Sequence, residues 1–210
     1  MRIPFLLFAT ALLGSSAWAQ DEESPYYLQL SLGGVFSENA QDVPGGTIGF
    51  DPGFSTGFAL GRSFEYGDSL GYDIELETYY QAFTVDEDDL PAIASAVDDD
   101  AKTLAFMVNG LLDWKFTQQY SIYGGLGLGW AKEIEYSSWD SGSLRITDSS
   151  GVAIQGRLGL AYNLGEYYDA RIGYRYFKTE PIDIEDTTAG TTDELDIAQH
   201  SLEVLFRWSL

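Results

Sequence analysis

The chain has 210 residues, no cysteine, one histidine and a formal charge of −22, from 33 Asp and Glu against 11 Lys and Arg. That balance excludes a nucleic-acid partner, which needs a basic footprint, and the missing cysteine excludes disulfides and thiolate chemistry. With 45% hydrophobic and 15% aromatic residues, the chain can bury a core, so its acidity does not predict disorder.

Met1-Arg2 opens with a positive charge, Ile3 to Leu13 is almost continuously apolar, and Ala17-Trp18-Ala19 follows. This pattern predicts a secretory signal peptide over 1–19, cleaved after Ala19, and one mature domain over 20–210. The run is too short for a spanning helix, which needs about 20 apolar residues.

The mature chain alternates with period two. In 27–36, Leu28, Leu30 and Leu32 share one face, and Gln29, Ser31 and Gly33 the other. In 54–65, Phe58, Leu60 and Phe64 alternate with Ser55, Gly57 and Ala59. In 69–83, Tyr72, Ile74 and Leu76 alternate with Asp73, Glu75 and Glu77. The same pattern recurs over 103–115, 120–132, 151–163, 169–177 and 197–210. That predicts eight strands, each with one apolar face.

Connections alternate in length. Residues 66–68, 116–119 and 164–168 are short, whereas 37–53, 84–102, 133–150 and 178–196 are long. An up-and-down meander across a bacterial outer membrane gives this alternation, with long loops outside and both termini in the periplasm.

A soluble sandwich or lipocalin-like barrel also alternates, and three features argue against it. The less apolar faces are rich in Gly and Ala, as a cramped lumen requires. Aromatics gather near strand ends as two girdles, among them Tyr72, Trp114, Tyr162 and Trp208 on the short-turn side and Tyr80, Trp130 and Tyr176 on the long-loop side. The chain closes on an alternating apolar run, Leu202, Val204, Phe206, Trp208 and Leu210, which would aggregate as a free edge in water. The expected fold is all-β, an eight-stranded antiparallel up-and-down transmembrane β-barrel.

Three segments carry a family likeness. Tyr123-Gly124-Gly125-Leu126-Gly127-Leu128-Gly129-Trp130 resembles the glycine-alternating strand of opacity-type, porin-family outer-membrane β-barrel proteins. Gly173-Tyr174-Arg175-Tyr176 resembles their penultimate strand, and the run from His200 to Trp208 their closing strand, although the chain ends on Leu210 where that family usually has Phe. The resemblance implies the small barrel of the OmpA and OmpX type and insertion by the barrel-assembly machinery.

Eight strands leave an interior just wide enough for side chains to fill, so a diffusion pore is not expected. Asp73, Glu75 and Glu77 on the third strand face inward, as do Arg157, Arg171 and Arg175 on the sixth and seventh and Glu203 and Arg207 on the eighth. The third and seventh strands lie opposite in such a ring, so these groups are expected to meet as a salt-bridge network. A structural plug is the favoured reading, and a gated narrow ion path the alternative. Arg62 shares the parity of Leu60 and Phe64, so it should face lipid near a turn and reach for headgroups.

Acid residues concentrate in two long loops. Asp86, Asp88, Asp98 and Asp100 are candidates for a weak divalent-cation loop, but their spacing lacks the glycine and twelfth-position glutamate of an EF-hand. A solvated, repulsive loop is the plainer reading. No metal site or cofactor is expected. His200 and Ser201 are adjacent in a strand and point to opposite faces, so they do not form a hydrolase pair. The sequence reading is therefore a non-enzymatic outer-membrane barrel serving envelope integrity and surface interaction. A narrow channel and a lipid-A-modifying enzyme follow as alternatives. Expected partners are outer-membrane lipid, lipopolysaccharide and a surface partner at the loops.

Overall fold

The structure, a computed structural model, describes residues 25–38, 40–43, 46–48, 50–84, 100–136, 144–146, 150–186, 191–195 and 198–210. The expected signal peptide and the candidate ligands Asp86, Asp88 and Asp98 lie outside these residues, while Asp100 opens a strand. Eight long strands build the fold: β1 (Tyr26–Ser37), β2 (Gly53–Tyr66), β3 (Leu70–Thr84), β4 (Asp100–Lys115), β5 (Tyr120–Tyr136), β6 (Ser150–Asn163), β7 (Tyr168–Thr179) and β8 (Ala198–Ser209).

Each strand pairs antiparallel with its neighbours in sequence, and β8 returns to pair with β1 from Tyr27↔Ser209 to Ser37↔Gln199. The ring is a closed eight-stranded antiparallel barrel. Closure leaves no edge strand, so every ladder amide and carbonyl can be paired without water. All eight predicted strands coincide with these. β4 starts three residues earlier than the alternation implied and β5 runs four residues further, to Tyr136. The ladder continues there past a register shift between Lys102 and Thr103, where the adjacent polar residues Lys132 and Glu133 interrupt the alternation.

The short turns are locally determined. Gly67 takes a left-handed φ of 71° in the β2–β3 turn. In the β4–β5 turn, Thr117 Oγ1 accepts from the amide of Tyr120 at 2.9 Å. Asn163 Oδ1 accepts from the amide of Gly165 at 2.7 Å in the β6–β7 turn. The long connections carry small sheets that the sequence reading did not anticipate. Ala40–Val43 pairs with Gly46–Ile48, and Ile182–Asp186 pairs with both Thr191–Leu195 and Leu144–Ile146.

Burial inverts that of a water-soluble barrel. On β8, Glu203 and Arg207 are no more than 5% exposed, while Leu202 and Val204 are both 62% exposed. The same reversal runs round the ring, so the outer wall is a continuous apolar band and the charges are inside. Aromatics flank that band near the short turns, where Phe64 stacks on Tyr72 at 4.7 Å and Tyr168 meets Phe206 and Trp208 at 5.7 and 6.2 Å. Tyr120 and Tyr162 pair at 5.0 Å beside exposed Trp114. Towards the long loops stand Phe54 and Tyr80, 5.9 Å apart, with Phe106, Trp130 and Tyr176 at matching positions. Arg62 lies over the rings of Phe64 and Tyr26 at 4.8 and 5.4 Å, on the outer wall beside a short turn.

Candidate functional site: the charged lumen

β3 carries three acids at every second position, so Asp73, Glu75 and Glu77 rise in a column along one inner wall. The arginines come from β6, β7 and β8, across the lumen. Glu77 takes Arg175 Nη2 at 2.7 Å, Asn109 Nδ2 at 2.9 Å and Gln155 Nε2 at 2.9 Å. Glu75 takes Arg157 Nη1 at 2.7 Å, Arg207 Nη2 at 3.3 Å and the Tyr27 hydroxyl at 2.8 Å. Arg175 also meets Glu203 at 2.9 Å, and Arg207 meets Asp73 at 2.8 Å. All eight residues singled out for the lumen are 5% exposed or less.

Three arginines also lie over inward tyrosine rings. Arg207 is 3.6 Å from the Tyr27 centroid, Arg175 3.9 Å from Tyr79 and Arg171 5.0 Å from Tyr123. Such stacking favours arginine over lysine, since a planar guanidinium can bond at its edge and stack on its face at once. Arg171 belongs to a separate group nearer the short turns, with Asp169 at 2.7 Å and Asp113 at 3.4 Å. The sequence reading did not include Tyr27, Tyr123, Asn109, Asp113, Gln155 or Asp169 in the network. All share the inward parity of their strands, and that was the available signal.

Two layers bound the network. On the long-loop side, Tyr79, Ala105, Met107, Ala131, Ala153 and Phe177 form an apolar cluster no more than 2% exposed. On the short-turn side, a vestibule of about 730 Å³ is lined by Asp73, Asp113, Arg171 and Arg207. Solvent therefore approaches the charges from one end, and a dry layer closes the other. An ion crossing the barrel would have to break the pairs and then cross a dry apolar constriction.

His200 faces outward at the long-loop end of the closing seam. Its Nε2 meets Glu38 Oε1 at 3.0 Å, and its Nδ1 pairs with the Tyr174 hydroxyl. The chain of Glu38, His200 and Tyr174 ties β1, β8 and β7 together on the outer face. Ser201 points inward and bonds the Tyr79 hydroxyl at 3.0 Å, so His200 is not its base. Replacing His200 by Ala should cost about 1 kcal/mol, the worth of a partly exposed hydrogen bond, read as a small shift in the urea midpoint. Among the described residues, no group of three His, Asp or Glu side chains is placed to hold a metal ion.

The comparisons agree with this architecture. Neisserial surface protein A has 16% sequence identity, covers 90% of this chain and 100% of its own, and superposes with a TM-score of 0.56. The outer membrane protein OprG from Pseudomonas aeruginosa has 13% identity over 90% of this chain and 97% of its own, with a TM-score of 0.54. The outer membrane protein AlkL, solved in lipid bilayers, has 14% identity over 94% of this chain and 96% of its own, with a TM-score of 0.55. At these identities the likeness is one of fold. No curated protein matches the chain in sequence. The family model described as outer membrane protein beta-barrel domain matches residues 5–207. With a closed eight-stranded barrel that is charged within and apolar without, this chain belongs to the outer membrane protein beta-barrel domain family.

Proposed function

We propose that this outer-membrane barrel is a non-enzymatic, plugged scaffold that strengthens the envelope and presents its long acidic loops to the outside, with both chain ends in the periplasm. The filled lumen carries this reading, since ion pairs bridge it from wall to wall and an apolar layer lies above them. Function then falls to the loops, as it commonly does where a rigid scaffold positions variable segments. Protease added to intact cells is the direct test. Cleavage within the long connections, with the barrel protected, is expected, and cleavage only after the outer membrane is opened would reverse the orientation. A strain lacking the protein should also leak periplasmic enzymes more readily under detergent stress.

The vestibule on the short-turn side favours one second reading, a narrow ion path from that end. In planar bilayers the plugged scaffold should be silent. Arg175→Ala should stay silent as well, because the apolar layer of Met107 and Phe177 remains in place. Steady conductance that depends on Arg175 would establish the channel instead.

A further inference from the structure

The basic residues are sorted by type and place. Four of the seven arginines, Arg157, Arg171, Arg175 and Arg207, are buried in the lumen. Of the four lysines, Lys115 stands at the short-turn end with Glu65 at 2.7 Å. The other three, Lys102, Lys132 and Lys178, occupy the opposite, long-loop rim. Each has the outward parity of its strand, next to inward Thr103, Ala131 and Phe177. They lie on β4, β5 and β7, an arc covering one side of the barrel.

Their depth is fixed by their neighbours. Lys132 follows exposed Trp130 by two residues, and Lys178 follows Tyr176 by two. Lys102 stands beyond Leu104 and exposed Phe106 on β4. Two residues of strand advance about 7 Å, less when tilted. Aromatic rings settle where acyl chains meet headgroups, so Lys132 and Lys178 stand one step further out and Lys102 two steps, at and just beyond the height of lipid phosphates. Lysine suits this place, as a compact, strongly hydrated charge on a flexible stem that can lie along apolar surface.

We propose that Lys102, Lys132 and Lys178 form a phosphate-binding arc that holds the headgroups of phosphorylated lipid in the leaflet at the long-loop end. Charge supplies the need for it. A chain of net charge −22 would repel an anionic leaflet at the rim below its acidic loops, and three amines offset that repulsion where contact occurs. Of the acids along this rim, Glu38 and Glu180 engage His200 and the amide of Val152, while Glu135 stands in register with Lys102 and Glu133 follows Lys132. An ammonium has three donors, so each amine can serve a phosphate alongside any partner in the protein. This inference deepens the reading that lipid surrounds the barrel.

The test uses the full chain folded in phosphatidylcholine nanodiscs, with diphosphorylated lipid A or its dephosphorylated form added, and bound lipid counted by native mass spectrometry. The wild type should retain the phosphorylated form preferentially. At about 1 kcal/mol per lysine near an anionic surface, each Lys→Gln change should weaken retention about fivefold, and the triple change on the order of a hundredfold. Lys115→Gln should leave retention unchanged, and a triple Lys→Arg variant should keep it. Where the triple glutamine variant does not fold, Lys132→Gln alone gives the readout. Equal retention of both lipid forms, an unaffected triple glutamine variant, or displacement of lipid by millimolar inorganic phosphate would each overturn the arc. Failure of the wild type to show heat-modifiable gel mobility in any lipid would instead overturn the barrel reading beneath it.

Discussion

Glu77→Ala is expected to lower folding stability by about 3–5 kcal/mol, the usual cost of removing one partner from a buried ion pair. Glu77 is the centre of the lumen, taking Arg175 at 2.7 Å, Asn109 at 2.9 Å and Gln155 at 2.9 Å. Its loss leaves Arg175, fully buried, with only Glu203 to balance it. Water does not readily fill the gap, because Tyr79, Met107 and Phe177 close the lumen on the long-loop side and the buried Glu75–Arg157 pair separates it from the vestibule on the other. The whole triad behaves differently from its parts. Removing Glu77, Arg175 and Glu203 together for Leu, Met and Leu should return most of the lost stability, since a well-packed apolar set often matches buried charges. Urea titration in detergent micelles, followed by tryptophan fluorescence and gel mobility, gives both numbers. A Glu77→Ala variant within 1 kcal/mol of the parent would mean that the lumen charges are solvated and the plug is wet.

A double-mutant cycle separates attraction from desolvation. Glu77→Ala and Arg175→Ala together should cost less than the sum of the two single changes, because each single change strands a charge that the double does not. The same logic applies to Glu75 with Arg157, joined at 2.7 Å. It fails for Lys115 with Glu65, also 2.7 Å apart but half or more exposed on both sides, where a surface pair is worth little.

The barrel was legible because period-two alternation acts twice in such a fold. It separates lipid face from lumen face, and its repetition at regular spacing gives the strand count. Asp73, Glu75 and Glu77 could be placed in one column from sequence because side chains two apart in a strand share a face. The arginines expected to meet them followed from the expected ring, which sets β3 across from β7, whereas the individual pairings required the register, which sets their heights. Inward tyrosines were harder to recognise. Tyr27 and Tyr123 resemble girdle aromatics by type, and only parity assigns them to the lumen, where they receive Arg207 and Arg171 on their faces. The small sheets of the long connections were not readable. Ile184↔Ile146 joins strands from two different loops, and pieces of three to five residues carry too little alternation to register.

Glycine 125 and glycine 110 are one register step apart, since Leu111 pairs with Gly125, yet valine should act oppositely at the two. Gly125 faces the lumen, and a Cβ there would fall onto the backbone of Gly110 and within 2.7 Å of Leu111 Cα. Those atoms belong to the barrel wall, so they can yield only by spreading β4 from β5. Gly125→Val should therefore cost about 3 kcal/mol or more, at or above the upper end of overpacking penalties. Gly110 faces outward, and nothing lies within 4 Å of a Cβ built there. Gly110→Val should be neutral or add about 0.5–1 kcal/mol, because glycine in a strand carries an entropic cost and no packing gain. Paired urea titrations of the two variants test the assignment of faces itself. If Gly125→Val proved harmless and Gly110→Val destroyed the fold, inside and outside would have to be exchanged, and with them the plug, the girdles and the lysine arc.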